Sequence, residues 1–180
     1  MAQTLNDFMG AFQGGLRPNK FRVNHNFGKA GGADMIYHIR AASMPASTMT
    51  TINVPYRGRI FKMPGIRTYQ TWQMTVLDDK NRIYEKYHDW SNSIKTHPGN
   101  ITTATDLDFS DLMSNITITQ LDYNGNDFRT FTLQHAWPNN IGPLTLDMEN
   151  NDTILTFTVD LEYQWFLTTG AGSSSTPGGD

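Results

Sequence analysis

The chain has 180 residues, a length typical of one domain, and its 14 basic and 17 acidic residues give a net charge of −3. It has no cysteine, which excludes disulfides, thiolate metal sites and cysteine nucleophiles, and it lacks the basic surplus typical of nucleic-acid-binding proteins. No window is apolar enough for a membrane span. We expect no signal peptide, because the chain opens without a basic segment followed by an apolar run.

The first part of the chain predicts a short helix and then strands. Apolar residues recur at helical spacing over residues 5–12, until a pair of glycines ends the pattern. Apolar and polar residues then alternate over residues 21–27 and 72–76, and less regularly over 35–42. A period of two is the pattern of a strand with one buried face, so these three segments are predicted as strands.

Residues 48–67 combine two features that seldom occur together. The segment carries Pro55, Gly58, Pro64 and Gly65, which is typical of a loop, and it also carries many apolar side chains. An ordinary solvent-exposed loop has few such side chains. The segment is therefore predicted either to pack on its own domain as a simple hairpin or to reach out and contact another molecule.

One longer helix is predicted over about residues 79–95. Its apolar residues recur at helical spacing and form a single stripe: Ile83, Tyr87, Trp90 and Ile94. Asp78 or Asp79 would cap its start, and the tripeptide His97-Pro98-Gly99 would end it. A parallel α/β fold would need several crossover helices, and the sequence predicts no such set.

A hairpin is predicted from residues 116–123 and 129–137, which flank the turn residues Asn124 and Gly125. The apolar phase slips within the first of these two strands, which predicts a β-bulge. Residues 153–165 then alternate without interruption and are predicted to be one long strand, with one set of side chains in the core.

The sequence as a whole predicts a mainly β fold. Two antiparallel sheets would pack together as a β-barrel or sandwich, with one flanking α-helix at about 79–95 and a short N-terminal helix. Residues 1–167 are predicted to be a single domain, and the Gly/Ser-rich residues 168–180 a flexible tail. The four tryptophans are assigned mainly to packing: Trp72, Trp90, Trp137 and Trp165.

Residues with catalytic or metal-binding chemistry are sparse. His25 and His38 would hold a metal ion if neighbouring strands brought them together, but ordinary packing is the better interpretation. Residues 106–111 look like a calcium loop without its glycine and its final glutamate, and an acidic loop explains them better. No nucleotide-binding or nucleophile motif occurs, so we predict a protein that is not an enzyme and holds no cofactor or metal ion.

Short motifs follow one another in a fixed order along most of residues 16–165. They are Arg17-Pro18-Asn19, Pro45-Ala46, Ile52, Val54-Pro55, Arg59-Ile60, Gly65, Arg67-Thr68, Trp72, a helix that ends at Trp90, Trp137-Pro138, Gly142, Leu144, Leu146-Asp147 and residues 154–159. Together they resemble the tail tube proteins of T4-type contractile-tailed bacteriophages. Residues 96–113 and the chain after 167 do not match this pattern.

The resemblance implies a structural protein that forms hexameric rings, which stack into a hollow tube inside a contractile sheath. Viral DNA would leave the capsid through the lumen, without sequence-specific binding. The implied partners are further copies of the chain, the sheath protein, the baseplate and tail terminator proteins, and the tape-measure protein. The protein would belong to the virion, in the phage tail, and would be assembled in the host bacterial cytoplasm.

Two other functions fit the sequence less well. The inner-tube proteins of type VI secretion systems and of extracellular contractile injection systems are wider kin of the same family, and only the cargo would differ. A small-ligand-binding β-barrel is the alternative from another class; such a barrel would have an apolar interior pocket and remain a monomer.

Tube building needs a contact between rings and a wall that does not hold DNA. We predict that the segment 48–67 reaches the next ring through Ile52, Val54, Tyr56, Arg57, Arg59, Ile60 and Phe61. Phosphate contacts would slow DNA exit, so a neutral-to-acidic polar wall is expected in the lumen. The candidates for that wall are Thr156, Thr158, Asp160 and Glu162, although the same face could point outward to the sheath.

Overall fold

The computed structural model describes residues 5–12, 15–27, 35–99, 112–149, 152–170 and 173–174. Strands make up most of this part of the chain, and a 3-10 turn at Met35–Tyr37 precedes one of them. The helices are α1 (Leu5–Ala11) and α2 (Ile83–Ile94). The strands are β1 (Phe21–Asn24), β2 (Ile39–Ala42), β3 (Ser47–Tyr56), β4 (Arg59–Tyr69), β5 (Trp72–Leu77), β6 (Ser114–Leu121), β7 (Asp127–Ile141), β8 (Thr156–Glu162), β9 (Trp165–Gly170) and β10 (Ser173–Ser174).

Every strand pair in the described residues is antiparallel. The main sheet has eight strands: β1, β6, β7, β8, β5 and β2 lie side by side, β9 pairs with β7, and β10 pairs with β9. Strands β3 and β4 form a separate two-stranded sheet. The predicted mainly β fold with antiparallel sheets and a flanking helix is confirmed. Among the described strands, however, β1 and β2 remain as edges, so the sheet does not close into a barrel.

Strand β7 belongs to both halves of the main sheet. Its first part pairs with β6 and β9, and its last part pairs with β8 from Trp137 onward. Between the two parts His135 has a φ of 53°, and its backbone N–H donates a 3.1 Å hydrogen bond to the side-chain oxygen of Asn115 on β6. The strand therefore bends through a bulge, and the two halves of the sheet face a common core.

The core lies between the bent sheet and α2. Ile83, Tyr87 and Trp90 form the buried face of the helix, as the apolar stripe predicts. Trp72 and Trp90 are fully buried, and each indole N–H has a partner, the Ser43 carbonyl at 2.6 Å and the Leu112 carbonyl at 2.8 Å. Side chains of this size provide much of the apolar area that folding removes from water.

Helix α2 begins at Ile83, later than the predicted start at about 79. Arg82 precedes it with a left-handed φ of 56°, and the side chain of Asp79 accepts the N–H of Asn81 in a local turn. The Asp78 carboxylate still accepts the N–H of Tyr84 at 3.3 Å, which satisfies one of the free donors at the start of the helix.

The second predicted hairpin is confirmed as β6 and β7. Gly125 has a φ of 87°, the conformation that the Asn-Gly pair favours, and its N–H donates to the Asp122 carbonyl at 3.0 Å. The pairing shifts between Gln120 and Leu121, which confirms the predicted bulge. Of the three segments predicted as strands, 72–76 lies wholly in β5, 21–27 forms a strand only over Phe21–Asn24, and 35–42 forms one only from Ile39.

The prediction of one long strand over residues 153–165 is wrong. Strand β8 ends at Glu162, the chain turns, and β9 begins at Trp165 on the other half of the sheet. Leu155 precedes the start of β8 and Trp165 follows the turn, and these two residues are exposed by 38% and 42% and are not core residues. The alternating pattern continues across this turn because the turn contains neither glycine nor proline, so periodicity alone does not reveal it.

Strand pairing continues beyond residue 167, where the sequence predicts the domain to end. Thr168 and Thr169 pair with Phe131 and Thr130, so the first part of the predicted tail lies in β9. Residues 175–180 and the predicted acidic loop at 106–111 lie outside the described residues. Of the helices in the described part of the chain, none has the length and apolarity to cross a membrane.

Candidate assembly interface

The hairpin of β3 and β4 stands away from the rest of the molecule. Every residue of β3 is exposed, and β4 is exposed except at Gly65 and Tyr69, which are half-buried. Its base is fixed, since the Tyr69 ring packs on Tyr163 and the Ala46 carbonyl accepts the N–H of Gln70 at 3.1 Å. The hairpin is thus anchored at its base and does not pack on its own domain.

The tip of this hairpin is a tight two-residue turn. Arg57 and Gly58 have φ values of 45° and 81°, and the strands pair in unbroken register from Thr51 opposite Pro64 to Tyr56 opposite Arg59. Positive φ at both central residues is the turn geometry that matches the twist of the two strands. The register therefore specifies which side chains share a face up to the tip.

One face of the hairpin is apolar. Ile52 lies opposite Met63 and Val54 opposite Phe61, and Tyr56 continues this face to the tip. The other face mixes polar and apolar residues: Asn53, Pro55, Ile60 and Lys62. Phe61 is exposed by 62% and Ile60 by 64%, although side chains of this kind are normally covered when they cluster.

Five of the seven residues predicted to reach the next ring come together at the tip. They line a shallow concavity of about 460 Å³: Tyr56, Arg57, Arg59, Ile60 and Phe61. The guanidinium of Arg57 lies 5.4 Å from the centre of the Tyr56 ring. The remaining two, Ile52 and Val54, extend the apolar face toward the base.

The hairpin is also strongly basic. Its strands and turn contain no aspartate or glutamate, and the basic residues are Arg57, Arg59, Lys62 and Arg67. In a chain whose net charge is −3, this places positive charge on a segment that projects from the fold. The tip therefore combines apolar area with positive charge, which fits an acidic, partly apolar partner surface.

The four residues predicted to line a lumen share one face of β8. Asp160 accepts hydrogen bonds from the Gln73 side chain at 2.8 Å and from the Asn140 side chain at 2.9 Å. Glu162 accepts one from the Thr71 hydroxyl at 2.6 Å. The opposite face of β8 is buried and apolar, so this outer face is a polar wall held in place by its own hydrogen bonds.

The polar wall carries no positive charge on its two central strands. Neither β5 nor β8 contains a lysine or an arginine, and Thr75 lies directly opposite Thr158. The outer face of β5 and β8 therefore carries hydroxyl and amide groups, with acidic groups on β8.

His25 and His38 have different partners and separate structural roles. His25 is buried, and its Nδ1 donates to the Asn26 carbonyl at 2.7 Å, since a carbonyl only accepts. Its Nε2 then accepts from the Tyr87 hydroxyl at 2.7 Å. Burial lowers the pKa of His25 to about 4, against an opposing contribution from the Asn26 carbonyl.

His38 Nε2 lies within hydrogen-bond distance of the Asp79 carboxylate, at 3.0 Å, near the surface. Burial raises the pKa of Asp79, but hydrogen bonds from His38 and Asn81 outweigh this and lower it. Within the described residues no group of three or more histidine, aspartate or glutamate side chains has the arrangement of a metal site.

A second exposed apolar surface was not predicted from the sequence. Leu146, Met148 and Ile154 are exposed by 80%, 98% and 68%, and they lie beside a groove between residues 145–148 and 153–156. The sequence did contain a signal for this surface. Residues 146–154 place apolar side chains in a stretch rich in asparagine and aspartate, where no strand or helix is predicted to cover them. The alternating pattern after residue 153 instead assigned part of the groove to a strand.

The sequence profile of the phage tail tube protein family matches residues 12–169. The chain belongs to that family. A tail tube protein of Serratia phage KSP90 is 32% identical over 169 residues, which cover 89% of this chain and 94% of that protein. Tail tube protein gp19 of Enterobacteria phage T4 is 27% identical over 169 residues, with 90% and 98% covered.

The fold of this tail tube protein is similar to that of a chain in the six-fold symmetrised cryo-EM structure of the anti-feeding prophage baseplate. The TM-score is 0.67 at 16% identity, over 90% of this chain and all of that one (100%). The predicted resemblance to tail tube proteins is confirmed. The family match includes the hairpin, the polar wall and most of β9, so these surfaces lie in the part of the chain that defines the family.

Proposed function

We propose that this tail tube protein is a non-catalytic structural subunit that forms hexameric rings, which stack into the hollow tube of a contractile phage tail. The observation that carries the proposal is the exposed apolar hairpin, which leaves a large surface uncovered in the single chain. Hexameric symmetry is supported by the similarity to a chain from a six-fold symmetrised baseplate. The 32% identity to a phage protein favours a phage tail over an injection system of the same fold.

The hairpin is the contact between rings in this proposal. Ile52, Val54, Tyr56 and Phe61 bury their apolar face against the next ring, and the three residues around the turn, Arg57, Arg59 and Ile60, complete the contact. The hairpin is anchored at its base and exposed along β3 and most of β4, so it is available for a contact with the next ring. Burial of this apolar area is the main favourable contribution to stacking.

The polar wall of β5 and β8 lines the lumen. Thr156, Thr158, Asp160 and Glu162 present hydroxyls and carboxylates, so β5 and β8 themselves offer no cation to a passing DNA strand. The tape-measure protein and viral DNA occupy this space without sequence-specific binding. The sheath covers the outside of the tube, the baseplate and the tail terminator bind its ends, and assembly takes place in the host cytoplasm.

A ligand-binding barrel is disfavoured by the geometry of the sheet. The described strands do not close, and α2 and the aromatic side chains fill the space that the sheet faces. A barrel that binds a small molecule needs an apolar interior pocket instead.

Negative-stain electron microscopy of the purified chain tests the tube directly. We expect rings or hollow tubes, alone or after a baseplate is added as a nucleus. The double variant Val54→Ser with Phe61→Ser should remain a folded monomer by circular dichroism and form no tubes. The matched control Tyr123→Ser with Phe128→Ser removes two exposed aromatics of the other hairpin and should leave tubes intact. Persistent monomers of the wild-type chain at high concentration with a baseplate present would refute the proposal.

The lumen is tested with a single cysteine in this cysteine-free chain. In tubes of Thr158→Cys, a small maleimide should react and a maleimide on a large polymer should not, whereas dissociated subunits should react with both. Equal labelling by both reagents in intact tubes would show that this face points outward.

A further inference from the structure

A groove that opens to solvent lies beside Leu146 and Met148. Its volume is about 790 Å³, within the range of binding pockets. The residues that line it are Arg40, Thr145, Leu146, Asp147, Met148 and residues 153–156. Within the part of the chain that the structure describes, no residue covers Leu146, Met148 or Ile154, which are exposed by 80%, 98% and 68%.

The groove and the β3–β4 hairpin lie at opposite ends of the same strands. Trp72 pairs with Leu161 at the end where the hairpin leaves the sheet, and Leu77 pairs with Thr156 at the other end. The groove adjoins this second end, where the Leu155 carbonyl accepts the N–H of Asp78 at 2.9 Å. At about 3.4 Å per residue, the length of β5 separates the two ends by roughly 17 Å.

The hairpin is basic, and the chain segments at the rim of the groove are acidic. The hairpin has four basic residues and no acidic residue: Arg57, Arg59, Lys62 and Arg67. Around the groove, residues 142–149 and 152–155 carry Asp147, Glu149 and Asp152 and no basic residue. Arg40, from β2, is the basic residue in the groove lining. Asp147 is held at the rim, because one of its carboxylate oxygens accepts the Glu149 N–H at 3.0 Å.

We propose that the groove receives the hairpin tip of a second copy of this chain, in the adjacent ring. The apolar tip residues Tyr56, Ile60 and Phe61 pack on Leu146, Met148 and Ile154. Arg57 and Arg59 lie against Asp147 and Glu149 at the rim. This inference rests on the proposed function and adds to it the surface that accepts the hairpin.

The arrangement meets the geometric requirement for unlimited stacking. A contact between two different patches of the same chain is heterologous, and it continues without end when its symmetry operation does not close. A projection at one end of the strands and a groove at the other end provide such a pair. The apolar surfaces supply affinity, and the rim charges select the correct seating of the tip.

Cross-linking with introduced cysteines tests the contact, because the natural chain has none. Tubes of the double variant Ile60→Cys with Met148→Cys, treated with a short bismaleimide, should give a ladder of covalent multimers. The matched control Ile60→Cys with Tyr123→Cys moves the second cysteine to an exposed turn away from the groove and should give little product. Tubes in which the first pair gives no more product than the control would overturn the groove assignment while the tube function stands.

Charge reversal gives an independent readout that does not depend on linker geometry. Arg59→Glu and Asp147→Arg should each lower the yield of pelletable tubes about tenfold, because the contacts of a whole ring weaken together. The two changes combined should recover most of that loss. If the tube yield of the double variant falls by the product of the two single losses, the two residues do not meet and the groove assignment is wrong. If wild-type chains form no rings or tubes with a baseplate present, the proposed function fails as well.

Discussion

The two long hairpins of this protein share an alternating sequence pattern but differ in how deeply their strands are buried. Strands β6 and β7 alternate apolar and polar residues around an Asn-Gly turn, and the apolar side chains of β6 are buried. Strands β3 and β4 alternate around an Arg-Gly turn, and all of β3 is exposed. Alternation therefore identifies one apolar face in each hairpin. The chain itself covers that face in β6, whereas in β3 the face stays exposed and is the one that we propose to contact another copy.

Removing a tryptophan from the core should have the largest effect on the free energy of unfolding. Trp90→Ala should lower it by about 3–5 kcal/mol, because a fully buried ring and its hydrogen bond to Leu112 are lost. Trp165→Ala, at a partly exposed site, should lower the free energy of unfolding clearly less than Trp90→Ala does. Denaturant titration of both monomeric variants measures the difference, and equal losses would mean that exposure does not separate the two sites.

Acidification should weaken the same core through His25. Its pKa is about 4 in the folded chain against an ordinary value of 6.5, so the unfolded chain takes up the proton first as the pH falls. The contribution is fully present above pH 6.5 and is lost by about pH 4, a decrease of about 3 kcal/mol. Comparison with His25→Gln isolates this effect, because the carboxylates titrate alike in both proteins. Parallel stability curves from pH 7 to 4 would contradict the prediction.

A close backbone approach at the end of β7 should tolerate no side chain. A Cβ at Gly142 would lie 3.0 Å from the Thr158 carbonyl and would also meet the Thr158 hydroxyl. Gly142→Ala should therefore cost about 1–3 kcal/mol, as overpacking usually does. Gly10→Ala, where nothing lies within 4 Å of the new Cβ, is the control and should not destabilise the chain. Thermal melts of the two variants make this comparison, and equal melting temperatures would count against the clash.

The smallest effect on stability is expected in the exposed hairpin. Phe61→Ala should change the unfolding free energy of the monomer by less than about 0.5 kcal/mol, because the side chain is already exposed by 62%. Its effect on tube formation should nevertheless be large, since the apolar face is then incomplete. A variant that loses monomer stability as strongly as a core variant would show that the hairpin packs on its own domain after all.

The strength of each pattern decided how much of the fold could be predicted from the sequence. The stripe of α2, the Asn-Gly turn and the slip before Leu121 each have a single local cause, and all three predictions are confirmed. The turn at Tyr163 and Gln164 was missed because its residues continue the alternation and contain no turn former. Its cause is non-local: the Gln164 N–H donates to the Gln134 carbonyl on β7.

The candidate interface was predictable only in part, for a similar reason. Proline and glycine among apolar residues marked the hairpin, and that mixture depends on sequence alone. The groove depends on tertiary structure, because it forms where Arg40, from β2, meets two segments that lie more than a hundred residues further along the chain. No local pattern brings these segments together, so the sequence showed the projecting surface and not the recessed one.

The opposite placement of hairpin and groove gives the subunit a direction. In the stacking proposed above, all copies would point the same way, and the assembly would present hairpins at one end and grooves at the other. A protein that starts such an assembly would have to match one of these surfaces, and a protein that stops it would have to match the other. Under that proposal the two ends of the tube would require unlike partners, and growth from a bound end would proceed in one direction.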